Sequence, residues 1–198
     1  MTTMQQSVVD LLVDQHREIK ALFNKVAAAK GERRRALFDD LVRLLAVHES
    51  AEEVVVHPAV RNRIEAGSDV VERRLHEENE AKHALAELYD LGVDHRDFDR
   101  KLAALKDLVL AHADNEVAEE FAVLGASLPR EELVRLARAF EAAQSIVPTR
   151  PHVMTGESAI VNLVAGPPLA VYDRIRDALH EWRQSYDNLQ QAARARAR

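Results

Sequence analysis

LVRLLAVHESAEEVVVHP, residues Leu41 to Pro58, places an imidazole and a carboxylate inside an apolar pattern. His48 and Glu52 are four residues apart, so on a helix they lie one turn apart on one face. Leu37, Leu41, Leu44, His48, Glu52 and Val55 follow the three- and four-residue spacing of a buried stripe. Burying such groups unpaired costs roughly 2–7 kcal/mol for an unbonded polar group and more for a charge. A metal ion would convert that cost into binding energy.

A second stretch repeats the pattern. In LKDLVLAHADNEVAEEF, Leu105 to Phe121, His112 falls on His48 and Glu116 on Glu52. Leu105 and Leu108 fall on Leu41 and Leu44, and Phe121 on His57. Two HxxxE pairs on two buried stripes point to one shared site. Working outward, Ser7 to Ala29 reads as a first helix with Val9, Leu12, His16, Ile19, Phe23 and Val26 on its inner stripe. Gly31 marks a turn, and Arg33 to Val56 is the second helix, which Pro58 need not end at once. Gly67 ends it, with Ser68 as the expected N-cap of the third helix, Asp69 to Asp90. Asp97 to Leu124 is the fourth, with Phe98, Leu102, Leu105, Val109, His112 and Glu116 facing inward.

The third helix holds two more HxxxE pairs, His76/Glu80 and His83/Glu87. At about 100° per residue all four point away from Val70, Ala81, Ala84, Leu85 and Leu88, so they read as a solvated face. The acidic residues nearest the apolar face are Glu77 and Glu78. Setting HREIKALFNKV (His16 to Val26) on ENEAKHALAEL (Glu78 to Leu88) pairs Ile19 with Ala81, Phe23 with Leu85 and Val26 with Leu88. His16 then meets Glu78. Helices one and two are thus repeated as helices three and four, with Glu78 in place of a histidine and Glu77, His76 or water as its rivals. His57 reads as a packing residue. Glu49, Glu53, Glu119 and Glu120 read as surface or supporting groups, and His152 and His180 as solvent-facing side chains.

The fold expected is all-α: an up-down-up-down four-helix bundle over residues 1–126, followed by a C-terminal helical extension, 127–198, packing on the bundle or on a partner subunit. Pro129 to Ile146 is an amphipathic helix, 147–158 a loop, and Ile160 to Val164 a short apolar patch. The final helix carries Tyr172, Ile175, Leu179, Trp182, Tyr186 and Leu189 as a stripe that would support a homodimer, and it ends in the basic tail ARARAR.

The 198 residues are 47% hydrophobic, with six Gly and six Pro, which suits a soluble helical protein. A net charge of −6 argues against a nucleic-acid partner. No apolar run approaches the roughly 20 residues needed to span a bilayer. MTTMQQSVVD has no charged n-region or cleavage site, so a cytoplasmic location is expected. There is no cysteine, which excludes disulfides, thiolate zinc sites and cysteine nucleophiles and leaves nine histidines for metal chemistry.

The inner constellation is His16, His48, Glu52, Glu78, His112 and Glu116. Six ligands are too many for one tetrahedral zinc and suit two ions side by side, with Glu52 and Glu116 as natural bridging carboxylates. These residues resemble the hemerythrin-like or HHE cation-binding proteins, whose pattern H…HxxxE…H…HxxxE is matched by His16, His48/Glu52 and His112/Glu116. The resemblance covers about residues 7–124. PTRPH (Pro148 to His152) and the final helix resemble the tails of actinobacterial members. The resemblance implies two non-haem irons bridged by oxo or hydroxo, with manganese and zinc as the other candidates. It also implies reaction with or binding of H2O2, O2 or NO, which as an enzyme would be catalase- or peroxidase-like. No catalytic residue is expected beyond the metal centre. The alternative is an iron or oxygen sensor, or an iron-handling protein without turnover. Glu78, where the family has histidine, adds an anion that favours Fe(III) and turns the expectation from oxygen storage towards peroxide or O2 chemistry.

Overall fold

A computed structural model of the chain describes residues 5–146. The loop at 147–158, the patch at 160–164, His152, His180, the final helix with its dimer stripe and the basic tail lie outside the described residues. Helix α1, Val8–Ala28, opens on a reciprocal cap in which Asp10 N donates to Ser7 Oγ (3.2 Å) and Ser7 N to Asp10 Oδ2 (3.1 Å). Helix α2, Gly31–Ala51, continues through a π-helical segment, π1 (Glu52–Val56), into α3, His57–Arg63. In π1 the His57 N–H reaches back five residues to Glu52 O, and the helix runs past Pro58 to the chain turn before α4, Gly67–Leu91. Helix α5, Phe98–Asn115, likewise passes through π2 (Glu116–Phe121) into α6, Ala122–Ser127. Helix α7, Arg130–Ile146, packs against α1, α2 and π1. Among the described residues there is no strand, and no helix is long and apolar enough to cross a membrane. The architecture is the helical bundle expected.

The core is two apolar clusters. One holds Ile19, Phe23, Val26, Phe38, Leu41, Leu85, Leu88, Phe98, Leu102 and Leu105. The other holds Leu12, Val56, Val60, Val71, Phe121, Leu124 and Phe140. Along α1, α2, α4 and α5 the polar layer falls between them: His16 on α1, His48 to Glu52 on α2 and π1, Glu78 on α4, His112 and Glu116 on α5 and π2. Burial of Ile19/Ala81, Phe23/Leu85 and Val26/Leu88 follows the internal repeat pair by pair.

Two local readings change. Ser68 does not cap α4: the helix starts at Gly67, preceded by Ala66 in the left-handed region (φ 58°) with no side-chain cap. Gly67 is required by proximity, because a Cβ there would lie 2.2 Å from Val60 O on α3. Gly67→Ala is expected to destabilise the fold by about 1–3 kcal/mol through overpacking, read as a lower urea midpoint. The second change concerns α2. Leu37, Leu44 and Val55 are only partly buried, while Phe38, Val42, Leu45, Glu49 and Val56 are buried beside Leu41, His48 and Glu52. Wedged among several helices, α2 buries two adjoining stripes instead of one.

Candidate metal centre

Ligand-type atoms of His16, His48, Glu52 and Glu116 lie within 4.8 Å of one another, and so do those of Glu49, Glu52 and His112. Glu52 belongs to both groups. His48, Glu49, Glu52, His112 and Glu116 are all buried, and the His16 side chain is 11% exposed. His16 Nε2 is 3.1 Å from His48 Nε2 and 3.2 Å from Glu116 Oε2; His48 Nε2 is 3.5 Å from Glu52 Oε2; His112 Nε2 is 3.4 Å from Glu116 Oε1. No oxygen of Glu52 or Glu116 accepts a hydrogen bond, and neither Glu49 Oε2 nor His112 Nε2 has a hydrogen-bond partner. Native interiors rarely leave buried polar atoms unsatisfied, and here the orphans converge. Imidazoles and carboxylates that converge on one another, with lone pairs that are free to coordinate once the site loses its protons, are a donor set that fits divalent or trivalent transition metals.

The backbone explains why these side chains meet. Both π segments begin at the repeat-related glutamates, Glu52 and Glu116. A π turn carries one extra residue, so the position five residues on also turns inward, beside the buried Val56 and Glu120 four residues on. The positions five residues on are His57 and Phe121, both buried. Phe121 stacks on His16 with ring centroids 5.6 Å apart, and Phe140 of α7 stands edge-on to His48 at 6.3 Å. These rings close the site towards the second apolar cluster.

Further side chains hold the imidazole rings of His48 and His112. His48 Nδ1 donates to Gln15 Oε1 (2.9 Å), which leaves His48 Nε2 with its lone pair facing the cluster. His112 Nδ1 donates to Glu77 Oε2 (3.1 Å), and Glu77 Oε1 accepts from Asn115 Nδ2 (3.0 Å) and from the buried Arg74 (3.0 Å). Glu77, a rival of Glu78 in the sequence, thus supports His112.

Glu78 is fully buried at the same height but belongs to neither group. Its Oε1 accepts from His57 Nε2 (2.7 Å) and its Oε2 from Lys82 Nζ (3.0 Å), and Lys82 also pairs with Glu53. The extra anion expected from Glu78 is therefore offset by Lys82 and His57. The added carboxylate that faces the cluster is Glu49. Its signal was present in the second stripe of α2, where Phe38, Val42, Leu45, Glu49, Glu52 and Val56 keep perfect helical spacing. His57 is not a plain packing residue: it bridges Glu78 and Glu120, whose Oε1 is 3.4 Å from Nδ1. The sequence hid it because an α-helical count from Glu52 points past it. Glu53 and Glu119 are at the surface, bonded to Lys82 and Arg73. His76 and Glu80 are exposed, and His83 and Glu87 pair beside them half-buried.

The proton inventory matches a site that expects a cation. Burial, with the Glu78 charge, pushes Glu49 up to about 8. Burial and the neighbouring Glu116 and Glu49 charges hold Glu52 well above the usual carboxylate range. Burial would also raise Glu116, but the His112 charge holds it well below. Burial, aided by His16, lowers His48 to about 3. Burial would lower His112 too, yet the Glu116 carboxylate raises it to about 10. Without metal, protons on Glu49, Glu52 and His112 balance the charge.

His57 yields a separate expectation. Burial opposes its proton, but Glu120 and Glu78 raise it to about 9 from 6.5. A folded pKa above the unfolded one gives stability that is complete below pH 6.5 and lost as pH rises through 9. His57→Gln, which keeps a donor but does not titrate, should flatten that part of the metal-free stability profile by up to about 3 kcal/mol. Urea unfolding at pH 6 and pH 9.5 measures it, and equal slopes for parent and variant would contradict it.

The model of the hemerythrin HHE cation binding domain matches residues 7–124. An uncharacterized hemerythrin-like protein of Schizosaccharomyces pombe is 25% identical over 177 residues, covering 88% of this chain and 87% of that protein. A DNA nickase of Nostoc is 24% identical over 145 residues, 73% of this chain, but the match spans only 41% of that longer protein. A crystal structure of an HHE cation binding domain-containing protein from Mycobacterium kansasii superposes with a TM-score of 0.64 at 23% identity, covering 71% of this chain and 86% of that one, and shares its fold. With its buried histidine–glutamate cluster lying wholly inside residues 7–124, more than half of its length, the chain belongs to the hemerythrin HHE cation-binding family.

Proposed function

We propose that this chain holds two non-haem irons and reacts with small oxidants, H2O2 first and O2 or NO as the other candidates. The observation that supports it is the convergence of unsatisfied, buried donors: both carboxylates of Glu52 and Glu116, Glu49 Oε2 and His112 Nε2. His16, His48, Glu52 and Glu116 would hold one metal, and Glu49, Glu52 and His112 the other. Glu78 would join them only by giving up His57 or Lys82. Iron, when bound there, supplies the electrons exchanged with the oxidant. The chain supplies the rest. Gln15 and Glu77 fix the two imidazoles with Nε2 inward. Phe121 and Phe140 keep water off the His16 and His48 side. A small cavity lined by Leu45, Ala46, Glu49, Ala81, Lys82, Leu85, Leu105 and Val109 reaches the Glu49 side and suits a molecule of a few atoms, not an organic substrate.

One observation favours a binding or sensing role without turnover: α7 touches the site, since Gln144 is hydrogen-bonded to Gln15 and Gln15 to His48. The test begins with metal content per chain and the near-ultraviolet and visible spectrum after anaerobic ferrous loading. Two irons with charge-transfer absorption in air, together with peroxide decomposition, support the oxidant reading. Two irons without turnover, but with altered protection of α7 in hydrogen exchange on oxidation, support the sensing one. Zinc or no metal, unresponsive to ferrous loading, overturns both.

A further inference from the structure

The internal repeat extends one position beyond the ligands. The register that sets His16 on Glu78 sets Gln15 on Glu77. Each of these two residues does the same thing: it accepts the Nδ1–H of the HxxxE histidine on the following long helix. Gln15 holds His48 at 2.9 Å, and Glu77 holds His112 at 3.1 Å. The two supports differ in charge and in what backs them. Gln15 and Gln144 exchange two amide hydrogen bonds, Nε2 to Oε1 in each direction at 3.0 Å. That clamp is neutral. Glu77 is a carboxylate bonded by Asn115 and by the buried guanidinium of Arg74. The same register places Leu12 where Arg74 stands, so only one half of the molecule has a charged support. The inner sets are unequal as well, because Glu49 has Ala113 as its counterpart in the repeat.

We propose that Gln15 and Glu77 are repeat-related positioning residues that make the two metal positions unequal, the Glu77-backed His112 position binding its metal more tightly than the Gln15-backed His48 position. A carboxylate behind an imidazole N–H draws the proton towards itself and raises the basicity of the other ring nitrogen, which a neutral amide does weakly. The inference rests on the two-metal reading above and adds an order to it: the Glu49, Glu52 and His112 position fills first.

The experiment is anaerobic titration of the full metal-free chain with cobalt(II), followed by calorimetry and by the visible absorption of the bound ion. The parent should take up two equivalents in two resolved steps. Glu77→Gln, nearly isosteric, should weaken the tighter step about 10–100-fold and leave the weaker one, bringing the two together. Glu77→Asp should restore part of the separation. Gln15→Glu, which still accepts from His48 and from Gln144 Nε2 although it no longer donates to Gln144 Oε1, should tighten the weaker step. A second readout is independent of affinity. In the proton spectrum of the cobalt-loaded chain, the shifted Nδ1–H resonances of His48 and His112 should respond one each, His112 to Glu77→Gln and His48 to Gln15→Glu. Two equivalents bound in the parent with one common affinity overturn the proposal. So does a Glu77→Gln variant that weakens both steps equally. If either variant fails to fold by circular dichroism, the other carries the same comparison. Fewer than two equivalents in the parent overturns the two-metal reading itself and the inference with it.

Discussion

Replacing Glu52 with leucine is expected to abolish metal binding at both positions while making the metal-free protein more stable. The two effects have one cause. Glu52 is the residue common to both ligand groups, so its loss removes an oxygen donor from each. In the metal-free chain the same carboxyl is fully buried and neither oxygen has a hydrogen-bond partner. A buried unsatisfied polar group costs about 1–3 kcal/mol, and an apolar side chain of similar volume relieves that cost. Metal analysis after reconstitution should fall from the proposed two equivalents to background, while the urea midpoint of the chelated protein rises. A variant that loses metal and also unfolds more easily would show that Glu52 is held by the protein itself, not by a cation.

Metal uptake should strengthen steeply with pH. At neutral pH the metal-free site carries protons on Glu49, held at about 8, on Glu52, held well above the usual carboxylate range, and on His112, held at about 10. Each must leave before its atom can coordinate. Every group protonated in the free site and deprotonated in the bound one contributes about a tenfold gain in affinity per pH unit below its pKa. Glu49 and His112 alone make the rise from pH 6 to pH 7 about a hundredfold, and the raised Glu52 steepens it further. Above pH 8 the Glu49 share ends, and the slope eases towards the His112 limit near 10. His48, lowered to about 3, adds nothing, because it is already neutral. Calorimetry in buffers of different ionisation enthalpy counts the released protons directly. A pH-independent affinity with no proton release would contradict this charge balance.

The bundle was legible because its signal is redundant. Phe98, Leu102, Leu105, Val109, His112 and Glu116 form one unbroken stripe, and all are buried. The internal repeat carried His16, His48, Glu52 and Glu116 to a common height without any structure, and burial bears out the apolar pairs on which that register rested. What the sequence concealed has three physical causes. A helix packed on several sides buries more than one stripe, so Glu49 sat in plain sight next to the stripe being followed. A π turn breaks the count, so His57 faces inward from a position that α-helical spacing sends elsewhere. Glu78 is a third case. Its helical phase was read correctly, but phase says nothing of competition, and Lys82 and His57 engage both of its oxygens.

The two π segments have a historical consequence. A π turn is an α-helix with one residue inserted, and such an insertion is an event in ancestry. Both segments start at the same glutamate of the repeat, Glu52 in one half and Glu116 in the other, and each sends its closing N–H back five residues, from His57 to Glu52 and from Ala122 to Val117. If the halves descend from one duplicated helical hairpin, the insertion was already there before duplication. The residue it turned inward then diverged: one copy became His57, tied to two glutamates, and the other Phe121, stacked on an imidazole. On that account the π turn is older than the difference between the halves, and the asymmetry of the centre was written afterwards in side chains.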